Sequence, residues 1–121
     1  MRLFNREVLR TTVFTSEQFT AAELNGLLGS ADALAIQWVA TRGGSNGTAK
    51  VIVNIYQSND NQNWSLYSSL SSGTLVGNSL ETGFLSENMT GTLARGAFVR
   101  LGIQLSAADA DLVVTVTGRA I

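Results

Sequence analysis

The stretch Thr48-Ala49-Lys50-Val51-Ile52-Val53-Asn54-Ile55-Tyr56-Gln57-Ser58-Asn59-Asp60-Asn61-Gln62-Asn63-Trp64 decides the fold of this chain. Ala49, Val51, Val53 and Ile55 fall on one side of an extended strand; Lys50, Asn54 and Tyr56 fall on the other, and Ile52 breaks the pattern. Alternation with a period of two marks a strand with one buried face. The seven residues Gln57 to Asn63 are then wholly polar, with three Asn and one Asp. Asn and Asp bond the nearby backbone and tolerate left-handed φ, so this run is expected to turn the chain. Trp64 reopens the apolar pattern and starts a second strand.

Upstream, Leu34, Ile36, Trp38 and Ala40 alternate with Ala35, Gln37, Val39 and Thr41, which predicts a strand over Ala33 to Thr41. The glycine-rich loop Arg42 to Gly47 is expected to join it to the central strand as a hairpin. Its Gly-Gly-x-x-Gly spacing lacks the Gly-Lys-Ser/Thr ending and the following helix of a phosphate loop. Thr12 to Thr20 reads as a strand anchored by Val13, Phe14 and Phe19. Ala21 to Gly29 has propensity for one helical turn before its glycines, so a short helix and a plain turn are both open.

Downstream, Leu66 and Leu70 suggest a strand after Trp64, followed by a Ser/Gly-rich connection over Ser68 to Asn78. Leu80 to Leu85 and Met89 to Leu93 are plausible edge strands. Ala97 to Ser106 sets Val99, Leu101, Ile103 and Leu105 against Phe98, Arg100 and Gln104. Leu112, Val114 and Val116 alternate with Val113, Thr115 and Thr117 in the last strand. Seven or eight short strands separated by turns describe an all-β chain, an antiparallel β-sandwich of jelly-roll-like character. The expected organisation is an N-terminal arm over residues 1–12 and a single sandwich domain over 13–121. Ile52, Val39 and Val113 lie opposite the inward sets, which points to an outer face covered by another protein surface.

Composition narrows the chemistry. The chain has 121 residues, one domain's worth, and no histidine, cysteine or proline. Without His and Cys there is no His-based triad, no usual transition-metal site and no thiol nucleophile. The carboxylates are scattered through turns and none pairs with another by spacing, so no catalytic residue and no enzyme is expected. Asn59-Asp60-Asn61 and Asp109-x-Asp111 offer oxygen ligands but not the spaced calcium-loop pattern, so side-chain capping of turns is the expected role and no metal or cofactor is called. A net charge of −1 gives no field for nucleic acid, and neither a membrane span nor a basic membrane patch is present. Charged residues are only 14% of the chain, well below the roughly 25% of ordinary soluble domains, which favours association with copies of itself or a larger body.

Arg2, Phe4, Arg6 and Arg10 form a basic and apolar N-terminal segment, which is either a frayed or edge-strand terminus or an arm reaching a neighbouring subunit. With Arg42 they are the expected assembly contacts. Among the aromatics, Trp38 belongs with the core face and Trp64 is expected to plug one end of the sandwich. Tyr56 and Tyr67 are the candidates for an exposed ring that could stack on a sugar, with packing as the default for both.

Val53 through Trp64, an apolar strand running into Ser-Asn-Asp and then Trp, resembles a strand–turn pattern of small β-sandwich structural proteins of tailed phages, of the capsid-decoration or minor-capsid kind. Ala97-Phe98-Val99-Arg100-Leu101 resembles the strand that pairs with it in such proteins. The same two signatures are similar to those of discoidin-like (galactose-binding-like) sandwiches, which are longer, usually cysteine-bridged and exported. The resemblance implies structural roles for Asn59 and Asp60 in the turn, Trp64 as a plug and Arg100 as a strand residue tying loops together. It implies a virion protein made in the host cytoplasm that forms homo-oligomers, a trimer among the options, and docks on other capsid proteins. The alternative is a carbohydrate-binding sandwich module.

Overall fold

The alternating stretch forms strand β4 (Val51–Ser58), with Val51, Val53 and Ile55 fully buried and Asn54 and Tyr56 turned to the other side. The computed structural model describes residues 6–42, 47–75, 81–89, 97–108 and 112–121. Strands β1 (Arg6–Thr12), β8 (Leu112–Ala120), β3 (Ala33–Arg42) and β6 (Glu81–Asn88) make the first sheet, in that order. Strands β2 (Gln18–Phe19), β7 (Phe98–Leu105), β4 and β5 (Ser65–Ser71) make the second. Every pairing is antiparallel. This order, with the chain passing repeatedly from one sheet to the other, is that of an eight-stranded jelly roll.

The core lies between the two sheets. Leu34 and Ile36 of β3 and Val114 and Val116 of β8 face Val53 and Ile55 of β4 and Val99, Leu101 and Ile103 of β7. Each strand contributes every second residue, as the pleat requires, and burial of each such side chain stabilises by roughly 1.5–3 kcal/mol. Gly29, Gly83 and Gly102 make close approaches possible, Gly29 against the Ala97 backbone. A Cβ at Gly83 would collide with the Trp38 indole, and one at Gly102 with the Glu17 carboxylate.

Several expectations change in the folded chain. Among the described strands only β4 and β5 form a hairpin; β3 and β4 lie in different sheets, so they do not pair as the expected hairpin. The stretch expected as one strand over Thr12 to Thr20 is divided, because its backbone changes sheets at Val13 and Phe14. The Val13 N–H donates to the Val114 carbonyl of the first sheet at 2.8 Å, and the Phe14 carbonyl accepts from the Leu105 N–H of the second at 2.8 Å. Only Gln18 and Phe19 then pair as a strand. The Ala21 to Gly29 segment resolves into a 3₁₀ turn (Ala22–Leu24) and the one-turn helix α1 (Asn25–Gly29), which buries Leu28.

The expected N-terminal arm is a strand over much of its length. Arg6 to Thr12 pairs along β8 with one register shift between Glu7 and Leu9, so Arg6 and Arg10 belong to the sandwich. Arg2 and Phe4 lie outside the described residues, as do Asp109 and Asp111 and most of the edge strand expected over Met89 to Leu93. No helix among the described residues is long and apolar enough to cross a membrane.

Candidate functional site

The turn between β4 and β5 is organised by one carboxylate. Asp60 Oδ1 accepts from the backbone N–H groups of Gln62 and Asn63, each at 2.9 Å, and from the Ser58 hydroxyl at 2.8 Å. Its Oδ2 accepts from Asn63 Nδ2 at 2.7 Å. The Ser58 hydroxyl oxygen in turn accepts from the N–H groups of Asp60 and Asn61. The Asn63 backbone and side-chain donors, followed by the Gln62 N–H, hold the Asp60 carboxyl well below the usual carboxylate range. Asn61 takes a left-handed φ of 60°, which Asn tolerates, and its Oδ1 accepts from the buried Asn25 Nδ2 at 2.8 Å. Asn59 is exposed beside this network.

Beyond the turn, the outer face of the second sheet gathers residues from four segments. The Arg100 guanidinium carbon lies 4.1 Å from the Phe19 ring centroid, 4.7 Å from that of Trp64 and 5.4 Å from that of Tyr56. The planar cation is therefore held among three aromatic rings, and its buried Nε makes no hydrogen bond. Register explains the proximity, since Tyr56 is directly opposite Arg100 and Phe19 opposite Gly102. Glu17 lies over Gly102 and accepts from the Tyr56 hydroxyl at 2.7 Å and from Asn54 Nδ2 at 3.0 Å. Burial first, then the Glu17 hydrogen bond and charge, push the Tyr56 phenol up, against the opposing charge of Arg100.

These contacts place the expected residues. Trp64 packs on Arg100 outside the sheet, not in the core as an end plug. Arg100 links β7 to Phe19 of β2 and to Trp64 beyond the turn. Neither candidate sugar-stacking ring is a free platform, because Tyr56 is engaged by Glu17, Phe19 and Arg100, and Tyr67 packs against the core. Glu17, Phe19 and Asn54 complete the cluster and were not among the candidates. The only local hint was the polar–apolar alternation of β4 that put Asn54 and Tyr56 on one side.

The first sheet presents a different outer face. Gln37, Val39 and Thr41 of β3, Thr82, Phe84 and Ser86 of β6, and Val113, Thr115 and Arg119 of β8 are all exposed on it. Phe84 is 66% exposed, Val113 54% and Val39 38%, with Phe84 on the edge strand β6 and the two valines on the inner strands β8 and β3. Arg119 is the only charged residue among these nine. Arg42 ends β3, and Arg6 and Arg10 lie on the bordering strand β1. At the end of the sandwich, an apolar cleft of about 430 Å³ adjoins this face and is lined by Val13, Phe14, Leu105, Leu112 and Val113 among others.

Among the described residues no cluster of three or more His, Cys, Asp or Glu could hold a metal ion. One outer face gathers aromatic rings about the single cation of Arg100; the other exposes Arg119 as the one charge among the nine positions named. No protein-family model matches the chain, and no match is found among curated proteins.

Proposed function

We propose that this chain is a non-enzymatic structural protein of a virion, a capsid decoration, cement or minor capsid subunit that oligomerises and docks on a protein lattice. The observation that carries the proposal is the outer face of the first sheet, where Phe84, Val113 and Val39 stand exposed among Thr, Ser and Gln. A solvent-facing sheet ordinarily alternates apolar inside with polar, often charged, outside. A sparsely charged face with exposed large apolar side chains suits a protein that works while covered. The jelly-roll order adds support, because that architecture serves viral capsid domains, although it serves lectins as well.

Lectin use of the fold keeps one alternative, a carbohydrate-binding module acting through the Phe19, Trp64 and Arg100 cluster with Glu17 and Asn54 at its border. The two are separated by electron microscopy of the purified chain and a glycan array run on the same preparation. Rings or particles without glycan retention are the expected result. Specific retention lost on Phe19→Ala, from a chain that forms no assembly, would replace the structural proposal with the carbohydrate one.

A further inference from the structure

We infer that the outer face of the first sheet is covered by the same face of a second copy of this chain, the two sheets stacking face to face. The inference rests on the assembly reading and names its contact. Four features carry it.

The first is size. Strands of seven to ten residues make up the sheet. At about 3.3 Å per residue and about 4.8 Å between strands, four of them form a face of roughly 19 by 28 Å, or about 500 Å². Two such faces supply about 1,000 Å² in projection, and side-chain relief raises the accessible area above the roughly 1,000 Å² that a specific interface needs.

The second is charge. Arg119 is the only charged residue among the nine exposed positions named on β3, β6 and β8; on the bordering strand β1, Glu7 pairs with Arg119 and Arg10 with Thr117, so the charged positions lie along one edge of the sheet. The β3 and β6 part of the face has no charged residue at its outward positions and offers nothing to steer or orient a charged partner. It also meets a copy of itself without repulsion, and the net charge of −1 keeps long-range repulsion between copies small.

The third is shape. The centre of the face is made of the β-branched Val39, Thr115 and Thr82 on adjacent strands, with Gln37 beside them. Such surfaces interdigitate when sheets pack about 10 Å apart with their strands near −30°. Phe84 stands above this plane and inserts among the threonines of the opposing copy.

The fourth is contrast with the other sheet. The outer face of the second sheet already uses its aromatic rings internally, on Arg100, and its carboxylate on Tyr56 and Asn54. The second sheet also exposes Leu66, but Phe19 is engaged by Arg100, whereas Phe84, Val113 and Val39 of the first sheet form a set of three with no such cation among them.

The chain has no cysteine, so single cysteines report contacts cleanly. Val39→Cys places a thiol near the centre of the face, and Ser71→Cys places one on the exposed outer side of β5 in the other sheet. Under mild oxidation at micromolar protein, Val39→Cys is expected to form a disulfide-linked dimer at least ~10-fold faster than Ser71→Cys, because a formed interface supplies a millimolar local concentration. Thr115→Lys sets a charge at the centre on each copy and is expected to weaken association at least ~10-fold by sedimentation equilibrium. Its far-ultraviolet spectrum should match the parent, since the residue is exposed.

An oligomeric parent whose two cysteine variants cross-link equally, or whose Thr115→Lys variant associates unchanged, overturns the assignment of this face while assembly itself stands. A parent that is monomeric throughout overturns the assembly reading and this inference together.

Discussion

Replacing Arg100 by Met removes the charge but keeps a long apolar stem, which isolates the contribution of the guanidinium. Its carbon is 4.1 Å from the Phe19 centroid, 4.7 Å from Trp64 and 5.4 Å from Tyr56. A cation over an aromatic face contributes about 0.5–1 kcal/mol at an exposed site and about 2 when desolvated, so two close contacts and one longer one give about 2.5 kcal/mol here. Against this, the buried Nε has no partner, and removing an unpaired donor returns about 1 kcal/mol. The net expectation is a loss of about 1.5 kcal/mol, or a Tm lower by about 5–8 °C for a domain of this size. A double-mutant cycle with Trp64→Leu isolates one ring, and urea unfolding followed by circular dichroism should give a coupling near 1 kcal/mol. A coupling within about 0.3 kcal/mol of zero would refute the idea that Arg100 holds the end of the turn to the sheet.

Three further outcomes follow from the same geometry. Asp60 has its carboxyl lowered by donors of Asn63 and Gln62, so its contribution to stability is complete above the ordinary carboxylate pKa near 4 and fades as pH falls below that value. Asp60→Asn should flatten the Tm-versus-pH curve between about pH 5 and 2 relative to the parent, and parallel curves would contradict that role. Gly102→Ala puts a Cβ on the Glu17 carboxylate and should displace it from Tyr56 and Asn54. Burial and then Glu17 hold the Tyr56 phenol up, so its ultraviolet titration should move part of the way back toward its ordinary pKa, and an unmoved titration would show that Glu17 does not contribute. Deleting residues 1–10 removes most of β1 and leaves β8 with an open edge. At about 1 kcal/mol for each lost ladder hydrogen bond, a loss of several kcal/mol is expected, and an unchanged Tm in thermal melts would mean that β1 contributes nothing to the fold.

Much of the sandwich is legible in the sequence because burial on one face imposes a period of two on each strand. Val51, Val53 and Ile55, and likewise Val99, Leu101 and Ile103, announce their strands for that reason. The β4–β5 hairpin is legible too, since the Ser58 to Asn63 turn closes through bonds between residues two or three apart. Sheet membership is not legible. Nothing local distinguishes a loop that returns within a sheet from one that crosses to the other layer, so the β3–β4 connection looked like a hairpin. The break at Val13 and Phe14 was hidden in the same way, because its cause is a pair of hydrogen bonds to Val114 and Leu105, about 90 or more residues along the chain.

The surfaces divide along similar lines. Val39 and Val113 could be placed on an outer face from their positions opposite the inward sets. Phe84 could not, because Gly83 and Thr82 blur the alternation of β6. The Arg100 cluster joins Phe19, Tyr56 and Arg100 through strand register, and Glu17 and Trp64 reach it from the segments just outside β2 and β5.

The central claim is that this chain functions as an assembling subunit. Its most direct test is the mass of the purified chain by light scattering on a sizing column, taken over a range of concentrations. A defined multiple of the 12.8 kDa chain mass that persists on dilution is the result expected. A mass of one chain at every concentration, up to the highest that stays soluble, would contradict it.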